Sequence, residues 1–367
     1  MRSKLQILVV DDTITYRTIL KKAVTDIPGA EVVGVAPNGE IALDKIRQLK
    51  PNLVIMDLEM PRMDGLEALE RVRELYPGIG VVMVSGTNRS SVDSTIRALE
   101  LGALDFVRKP EGDRPEENIA YIRRHLANIF SGYEPGLVRA PITGRSRHFS
   151  GYRVDGEKRT AVGGPFGLVA IGCSTGGPTA LMDLLPQLPA EFPVPVVVVQ
   201  HMPAGFTESL ARNLNSKSAL SVREAEQGEA LLAGQVYIAP GGRHLVVEGR
   251  RTGPVVECFA RLQDGAPVNN CKPSVDVLFD SLAEVFKGEI LTVILTGMGT
   301  DGARGLENLK RKGHCYCITQ SEASCVVYGM PRAVDQGGLS DSSLPLEAIG
   351  LKINNMVLEG RRANAAI

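Results

Sequence analysis

Short apolar runs alternate with helix-period segments twice over in this chain, and the residues able to do chemistry stand at the ends of those runs. In the first half, Ile7–Val10, Val32–Val35, Leu53–Met56, Val81–Val84 and Asp105–Val107 read as strands. Leu66, Leu69, Val72 and Tyr76 recur at near-helical spacing and stop at Pro77, which predicts a crossover helix between two parallel strands. Such an alternation folds as a doubly wound α/β sheet covered by helices. Open sheets of this class carry their working residues beyond the C-terminal ends of the strands.

A second α/β pattern follows, with strands predicted at Leu168–Ile171, Val194–Val199, Val236–Ala239, Leu291–Leu295 and Cys315–Thr319, and helices at Thr179–Leu188 and Thr207–Asn215. Pro240–Val247 followed by Arg251–Arg261 reads as a β-hairpin excursion rather than another crossover. Between the halves periodicity fades while Gly, Pro, Ser and Arg accumulate, as at Pro135-Gly136, Gly144-Arg145-Ser146-Arg147 and Gly163-Gly164-Pro165. That composition marks a linker. At 367 residues the chain exceeds one ordinary core. The expected division is a first domain at 1–127, a flexible linker at 128–164 and a second domain at 165–367.

Composition narrows the partners. A net charge of -1 leaves no electrostatic footprint for nucleic acid, so none is expected. The apolar stretch before Asp11 is too short for a signal peptide and no later run approaches a membrane span, so no membrane insertion and a cytoplasmic location are expected. The six cysteines show no paired zinc-ligand spacing and read as reduced and mostly structural.

In the first half, Asp11 and Asp12 follow one apolar run and Asp57 follows another, and parallel neighbours bring the three carboxylates together above the sheet. Clustered carboxylates call for a hard cation such as Mg²⁺, which keeps waters and accepts phosphate oxygens. Asp57 can then attack a phosphoryl donor while the metal and Lys109 neutralise charge on the transferred oxygens. Ser85 closes the Val81–Val84 run and Lys109 precedes Pro110 at the same edge. Singly, Ser85 is a strand-end cap and Lys109 a surface charge; their joint placement is what points to phosphoryl transfer.

In the second half, Leu168–Ile171 leads into Gly172-Cys173-Ser174-Thr175-Gly176-Gly177-Pro178, which fits Gly-x-Ser-x-Gly. That turn needs small residues and presents a serine at a helix N-terminus, although the segment alone would serve equally to bind phosphate. His201 and Asp301 follow two other predicted strands. Ser174 can act as nucleophile, His201 as its base and Asp301 as the carboxylate orienting the imidazole. The order Ser, His, Asp is not that of α/β-hydrolases. His244, in a predicted hairpin turn, is the competing base, and in isolation Asp301 would be an N-cap.

On Asp11-Asp12, Asp57, the Met60-Pro61-Arg62-Met63-Asp64-Gly65 loop, Ser85 and Lys109-Pro110, the first half resembles the receiver domain of two-component response regulators. The resemblance implies a (βα)5 fold, phosphorylation of Asp57 by a histidine-kinase phosphodonor, Mg²⁺ held through Asp12, Asp57 and the carbonyl of Glu59, and switching through Ser85 and Phe106. The second half is similar to the catalytic domain of the chemotaxis protein-glutamate methylesterases. The blocks that carry this are the Ser174 turn, Gln200-His201-Met202-Pro203, Tyr237-Ile238-Ala239-Pro240-Gly241-Gly242, Pro273-Ser274-Val275-Asp276, Leu295 through Ala303, and Ala323 through Pro331. It implies Ser174, His201 and Asp301 as catalytic residues and amides near Thr175 and Met298 as an oxyanion hole. The implied substrates are glutamate methyl esters on methyl-accepting chemoreceptors, hydrolysed to methanol without a cofactor, with glutamine deamidation as a companion activity. A receptor-binding adaptor without turnover is the alternative. Cys173 stands where the family commonly has alanine, and Asn270-Cys271-Lys272 stands where a His or Arg is expected.

Overall fold

The computed structural model describes residues 4–110, 112, 114–133, 135, 166–252, 255–286, 288–313 and 315–365. The chain divides into two compact units, residues 1–141 and 142–367.

The first unit runs β1 (Leu5–Val10), α1 (Ile14–Thr25), β2 (Ala30–Ala36), α2 (Gly39–Leu49), β3 (Leu53–Asp57), α3 (Gly65–Leu75), β4 (Gly80–Ser85), α4 (Arg89–Glu100), β5 (Asp105–Arg108) and α5 (Pro115–Gly132). Its five strands are all parallel in the order β2-β1-β3-β4-β5. Both faces of β3 and β4 are covered, and every residue of these two strands is buried. That is why they read as unbroken apolar runs rather than as alternation. Helix starts are set by short polar caps: Thr13, Asn38, Asp64 and Asn88 each accept from a backbone N–H in the first turn of α1, α2, α3 and α4. The predicted crossover helix is α3, which buries Ala68, Leu69 and Val72.

One boundary differs from expectation. The predicted linker start at 128 lies inside α5, which continues to Gly132 with Ile129 buried. Tyr133 follows, also buried, and its hydroxyl donates to the Asn52 carbonyl at 2.8 Å while accepting from Gly80 N at 3.0 Å. These contacts carry the first unit past 127 because an aromatic ring closes the edge of β4. Apart from Pro135, the rest of the predicted linker lies outside the described residues.

The second unit comprises β6 (Phe166–Cys173), α6 (Gly177–Leu184), β7 (Val196–Gln200), α7 (Phe206–Lys217), β8 (Ser221–Glu224), β9 (Gln235–Ile238), β10 (His244–Thr252), β11 (Val255–Gln263), α8 (Val275–Val285), β12 (Glu289–Ile294), α9 (Ala303–Arg311), β13 (Cys315–Gln320), α10 (Met330–Gln336), β14 (Ser342–Leu344) and α11 (Leu346–Ala365). Seven of these strands form one parallel sheet ordered β14-β13-β12-β6-β7-β9-β8. The antiparallel pair β10-β11 is the predicted hairpin, registered from His244 opposite Gln263. The sheet positions β8 and β14 had no sequence signal. They are edge strands of four and three residues, mostly polar, and an edge strand needs little burial.

In both sheets the chain starts at an interior strand, builds to one side and returns to the other. The strand order therefore reverses between β1 and β3 in the first unit and between β6 and β12 in the second. Crevices open at such switch points, beyond the strand C-termini.

Tyr133→Phe is expected to destabilise the first unit by about 1–2 kcal/mol, the net worth of the two hydrogen bonds its buried hydroxyl makes. Urea unfolding followed by an optical probe of that unit measures it, and an unchanged midpoint would count against Tyr133 as the closing residue.

Candidate active site

Ser174 leaves β6 at the switch point and enters a turn closed by Gly177 N on its carbonyl at 2.8 Å. Gly176, at φ +75, supplies the left-handed step before α6. Gln200 Nε2 adds a second donor to the Ser174 carbonyl at 2.9 Å, and Ser174 N donates to Thr296 O at 3.1 Å. Thr296 Oγ1 in turn donates to Thr175 O at 3.0 Å. The Thr296-Gly297-Met298 loop thus lies directly on the nucleophile turn. A Cβ on Gly297 would stand 2.8 Å from Ser174 Cβ. Of the two positions expected to form an oxyanion hole, Thr175 is the next residue of the serine's own turn and Met298 follows Gly297 in the loop packed against it.

His201 follows β7, and its backbone N–H donates to Cys173 O at 3.1 Å. Its ring Nε2 meets Asp301 Oδ2 at 2.8 Å. The other nitrogen, Nδ1, lies 3.4 Å from Cys271 Sγ. Among the described residues, Ser174 Oγ makes no hydrogen bond to the imidazole, because the thiol occupies the nitrogen that is left. The structure thus brings His201 and Asp301 into contact and sets Cys271 on the other nitrogen of the ring.

Asp301 does not cap α9, the helix that follows it. Its carboxylate accepts from Val275 N (2.7 Å), Asp276 N (3.2 Å), Ser274 Oγ (2.8 Å) and Asn269 Nδ2 (2.9 Å), and so caps α8. Asp276, in the first turn of α8, accepts from Gly302 N at 2.9 Å and Gly305 N at 2.8 Å, and so caps α9. Asn269 bridges the two carboxylates.

The electrostatics follow from this geometry. Burial works against a charged Asp301, but the His201 hydrogen bond and charge, with the Val275 and Asn269 donors, outweigh it and hold the carboxyl at about 2. Burial likewise disfavours the imidazolium, yet the Asp301 hydrogen bond and charge, with the Cys271 contact, push His201 up to about 9. His244, the competing base in the sequence reading, is buried at the start of β10 with Nε2 on Ala266 O at 2.9 Å.

Sequence reasoning gave no role to Asn269, Cys271 or Ser274. Val268 and Cys271 pair across Asn269 and Asn270, whose φ values of 52 and 60 are left-handed. This two-residue reversal is what delivers the amide and the thiol to the site. An Asn-Asn dipeptide is the one local signal that could have announced it.

In the first unit, Asp11, Asp12 and Asp57 each offer an oxygen within 4.8 Å of the others. Thr13 N and Oγ1 fix Asp11 Oδ1, and Leu58 N donates to Asp57 Oδ1 at 2.9 Å. Lys109 Nζ reaches the remaining oxygens, at 3.1 Å from Asp11 Oδ2 and 2.7 Å from Asp57 Oδ2. Burial, partly offset by Lys109 and reinforced by Asp11, raises Asp57 to about 6. Three carboxylates against one ammonium leave a deficit of positive charge, and an all-oxygen donor set fits a hard divalent cation. The Glu59 side chain is turned to Ser91 Oγ at 2.6 Å. Ser85, fully buried, donates to Ser91 O and accepts from Thr95 Oγ1 at 2.5 Å. Phe106 is half-buried on β5, opposite Met83.

The profile of the CheB methylesterase family matches residues 169–353, and that of the response regulator receiver domain matches residues 7–120. A relative from Desulfotalea psychrophila, named protein-glutamate methylesterase/protein-glutamine glutaminase, is 44% identical over 96% of this chain and 98% of its own. The chain belongs to the CheB methylesterase family. A relative of the same printed name from Geobacillus kaustophilus is 41% identical over 97% of this chain and 99% of its own. The crystal structure of the Thermotoga maritima CheB methylesterase catalytic domain shares 45% identity over 51% of this chain and 96% of its own, with a TM-score of 0.48.

Gly297→Ala is expected to displace Ser174 and slow its labelling by a serine-directed fluorophosphonate by roughly 10²-fold, the usual cost of about an ångström of misplacement. Labelling at the parent rate would show that this close approach does not position the serine.

Proposed function

We propose that the chain is a phosphorylation-regulated protein-glutamate methylesterase that hydrolyses glutamate methyl esters on chemoreceptors, with Ser174, His201 and Asp301 carrying the reaction. The observation that carries this reading is the buried His201 Nε2 to Asp301 Oδ2 hydrogen bond, in a histidine whose backbone N–H donates to Cys173 beside Ser174, within the segment that matches the family. With Nε2 held, Nδ1 is the nitrogen available to take the Ser174 hydroxyl proton, which requires the imidazole to exchange the Cys271 thiol for the serine. Ser174 Oγ then attacks the ester carbonyl. The oxyanion that forms is met by amides at Thr175 and Met298. The proton on Nδ1 passes to the methoxy oxygen, methanol leaves, and water activated by the same nitrogen hydrolyses the acyl-enzyme to glutamate. A glutamine side chain passes through the same acyl-enzyme with loss of ammonia. The second activity in the relatives' names supports that extension, and those names give no support to an adaptor without turnover.

For the first unit, the reading is phosphoryl transfer from a kinase phosphohistidine to an Asp57 oxygen, the P–N bond breaking as the P–O bond forms. Asp11, Asp12, Asp57 and the Glu59 carbonyl would hold Mg²⁺, which when bound neutralises charge on the phosphoryl oxygens. Lys109 already spans Asp11 and Asp57 and can follow the new phosphoryl group. Ser85 would trade Ser91 and Thr95 for a phosphoryl oxygen, with Phe106 responding on the neighbouring strand. No helix among the described residues is long and apolar enough to cross a membrane. The proposed setting is the cytoplasm, with a histidine kinase and methyl-accepting chemoreceptors as partners.

Ser174→Ala is expected to abolish methanol release from methylated receptor membranes, and Asp57→Asn to abolish stimulation by acetyl phosphate with Mg²⁺. Parent-level release from the serine variant would end the catalytic assignment, and stimulation retained by the aspartate variant would end that of the acceptor.

Two pH trends should run in opposite directions. The neutral imidazole needed as base grows as pH rises, so turnover should climb toward about pH 9. The His201–Asp301 pair contributes stability that is complete between the ordinary values of 3.8 for the carboxyl and 6.5 for the imidazole, and fades as pH rises through about 9 or falls through about 2. Turnover that is flat from neutral pH to 9 would show that His201 does not titrate as the base.

A further inference from the structure

Two groups of potential metal ligands occur among the described residues. Asp11, Asp12 and Asp57 form an all-oxygen set, and His201, Cys271 and Asp301 form a set of sulfur, nitrogen and oxygen. The donor atoms sort the ions that each would take. Carboxylates suit Mg²⁺, whereas a thiolate with an imidazole selects a softer ion of the zinc class.

We propose that Cys271 Sγ and His201 Nδ1 form a binding site for one Zn²⁺-type ion, with Asp301 holding Nε2 behind the ring, and that the ion on binding captures the imidazole and switches the esterase off. The distances carry this. In a tetrahedral zinc site with Zn–S about 2.3 Å and Zn–N about 2.05 Å, sulfur and nitrogen stand about 3.6 Å apart. Cys271 Sγ and His201 Nδ1 are already 3.4 Å apart. The other positions around the ion stay open to water. The second shell is in place as well. Asp301 holds Nε2 at 2.8 Å, the carboxylate–histidine–metal arrangement, and Ser274 Oγ, Asn269 Nδ2 and the α8 amides orient Asp301 in turn. The site can be reached, since Cys271 is half-buried and the His201 side chain is 10% exposed.

Binding releases the thiol proton of Cys271 and any proton on the imidazole to solvent, and nothing is oxidised or reduced. The ring nitrogen bound to the ion is then closed to the Ser174 proton. Inhibition rests on the catalytic reading above; metal binding itself does not.

The test uses the full-length protein freed of metal by a chelator and kept in excess Mg²⁺, with Co²⁺ as the spectroscopic probe. One equivalent of Co²⁺ should give a sulfur-to-cobalt charge-transfer band in the near ultraviolet in the parent and in Ser174→Ala, and none in Cys271→Ala or Cys271→Ser. Zn²⁺ should displace the band and lower methanol release from the parent at least tenfold, and EDTA should reverse it. For each cysteine variant, inhibition is read against its own basal rate. The half-inhibiting Zn²⁺ concentration should rise by more than the roughly 100-fold that loss of an outer partner costs. A parent without the band, or a Cys271→Ser protein inhibited at the parent's Zn²⁺ concentration, would overturn the proposal. A Ser174→Ala protein that shows the band yet releases methanol at the parent rate would sustain the metal site and sink the catalytic assignment instead.

Discussion

The second unit depends on how one buried carboxylate is satisfied. Asp301 is 2% exposed, and an unpaired anion at that depth would cost several kcal/mol. Here it faces the His201 ring, two side-chain donors and two amides at the start of α8, with the positive end of the helix behind them. Asp276 returns the arrangement to α9. Two helices are therefore joined at their N-termini through exchanged aspartates, and the loops between them, including the Asn269-Asn270 reversal, are fixed as a consequence. The imidazole inherits its orientation from this lattice of donors.

The two units solve the same topological problem with different chemistry. Each parallel sheet leaves a crevice where its strand order reverses, and each fills that crevice with side chains from the strands on either side. In the first unit the crevice lies beyond β1 and β3 and collects three carboxylates, and burial, only partly offset by Lys109 and reinforced by Asp11, raises the Asp57 carboxyl. In the second it lies beyond β6 and β12, with β7 adjoining, and collects a nucleophile, an imidazole and an acid whose charges compensate one another. The opposite shifts of Asp57 and Asp301 express that difference: burial raises both, and Lys109 offsets it only in part at Asp57, while His201 and the surrounding donors outweigh it at Asp301.

Much of this was legible in the chain. Fully buried parallel strands announce themselves as continuous apolar runs, and the residue after each run is a site candidate by topology. Ser174, His201, Asp301, Asp57 and Lys109 were therefore readable from strand ends. What could not be read depends on contacts between segments far apart in sequence. Cys271 meets His201 across 70 residues and Asn269 meets Asp301 across 32, and no local pattern encodes either. The end of the first unit was misplaced because the closing Tyr133 belongs to no periodic segment, and β8 and β14 were missed because edge strands bury too little to leave an apolar signature.

The exchanged caps of α8 and α9 also bear on how such a site can change over time. A carboxylate that only steered a histidine could be traded away in small steps while the scaffold stood. Asp301 has no such freedom, because its replacement strips the donors at one helix start and disturbs the partner that closes the other. Ser174, which projects from its turn without supporting anything beyond it, can be lost cleanly. An inactive descendant of this chain is therefore expected to have shed its nucleophile first and to keep the acid as a fossil of architecture rather than of chemistry.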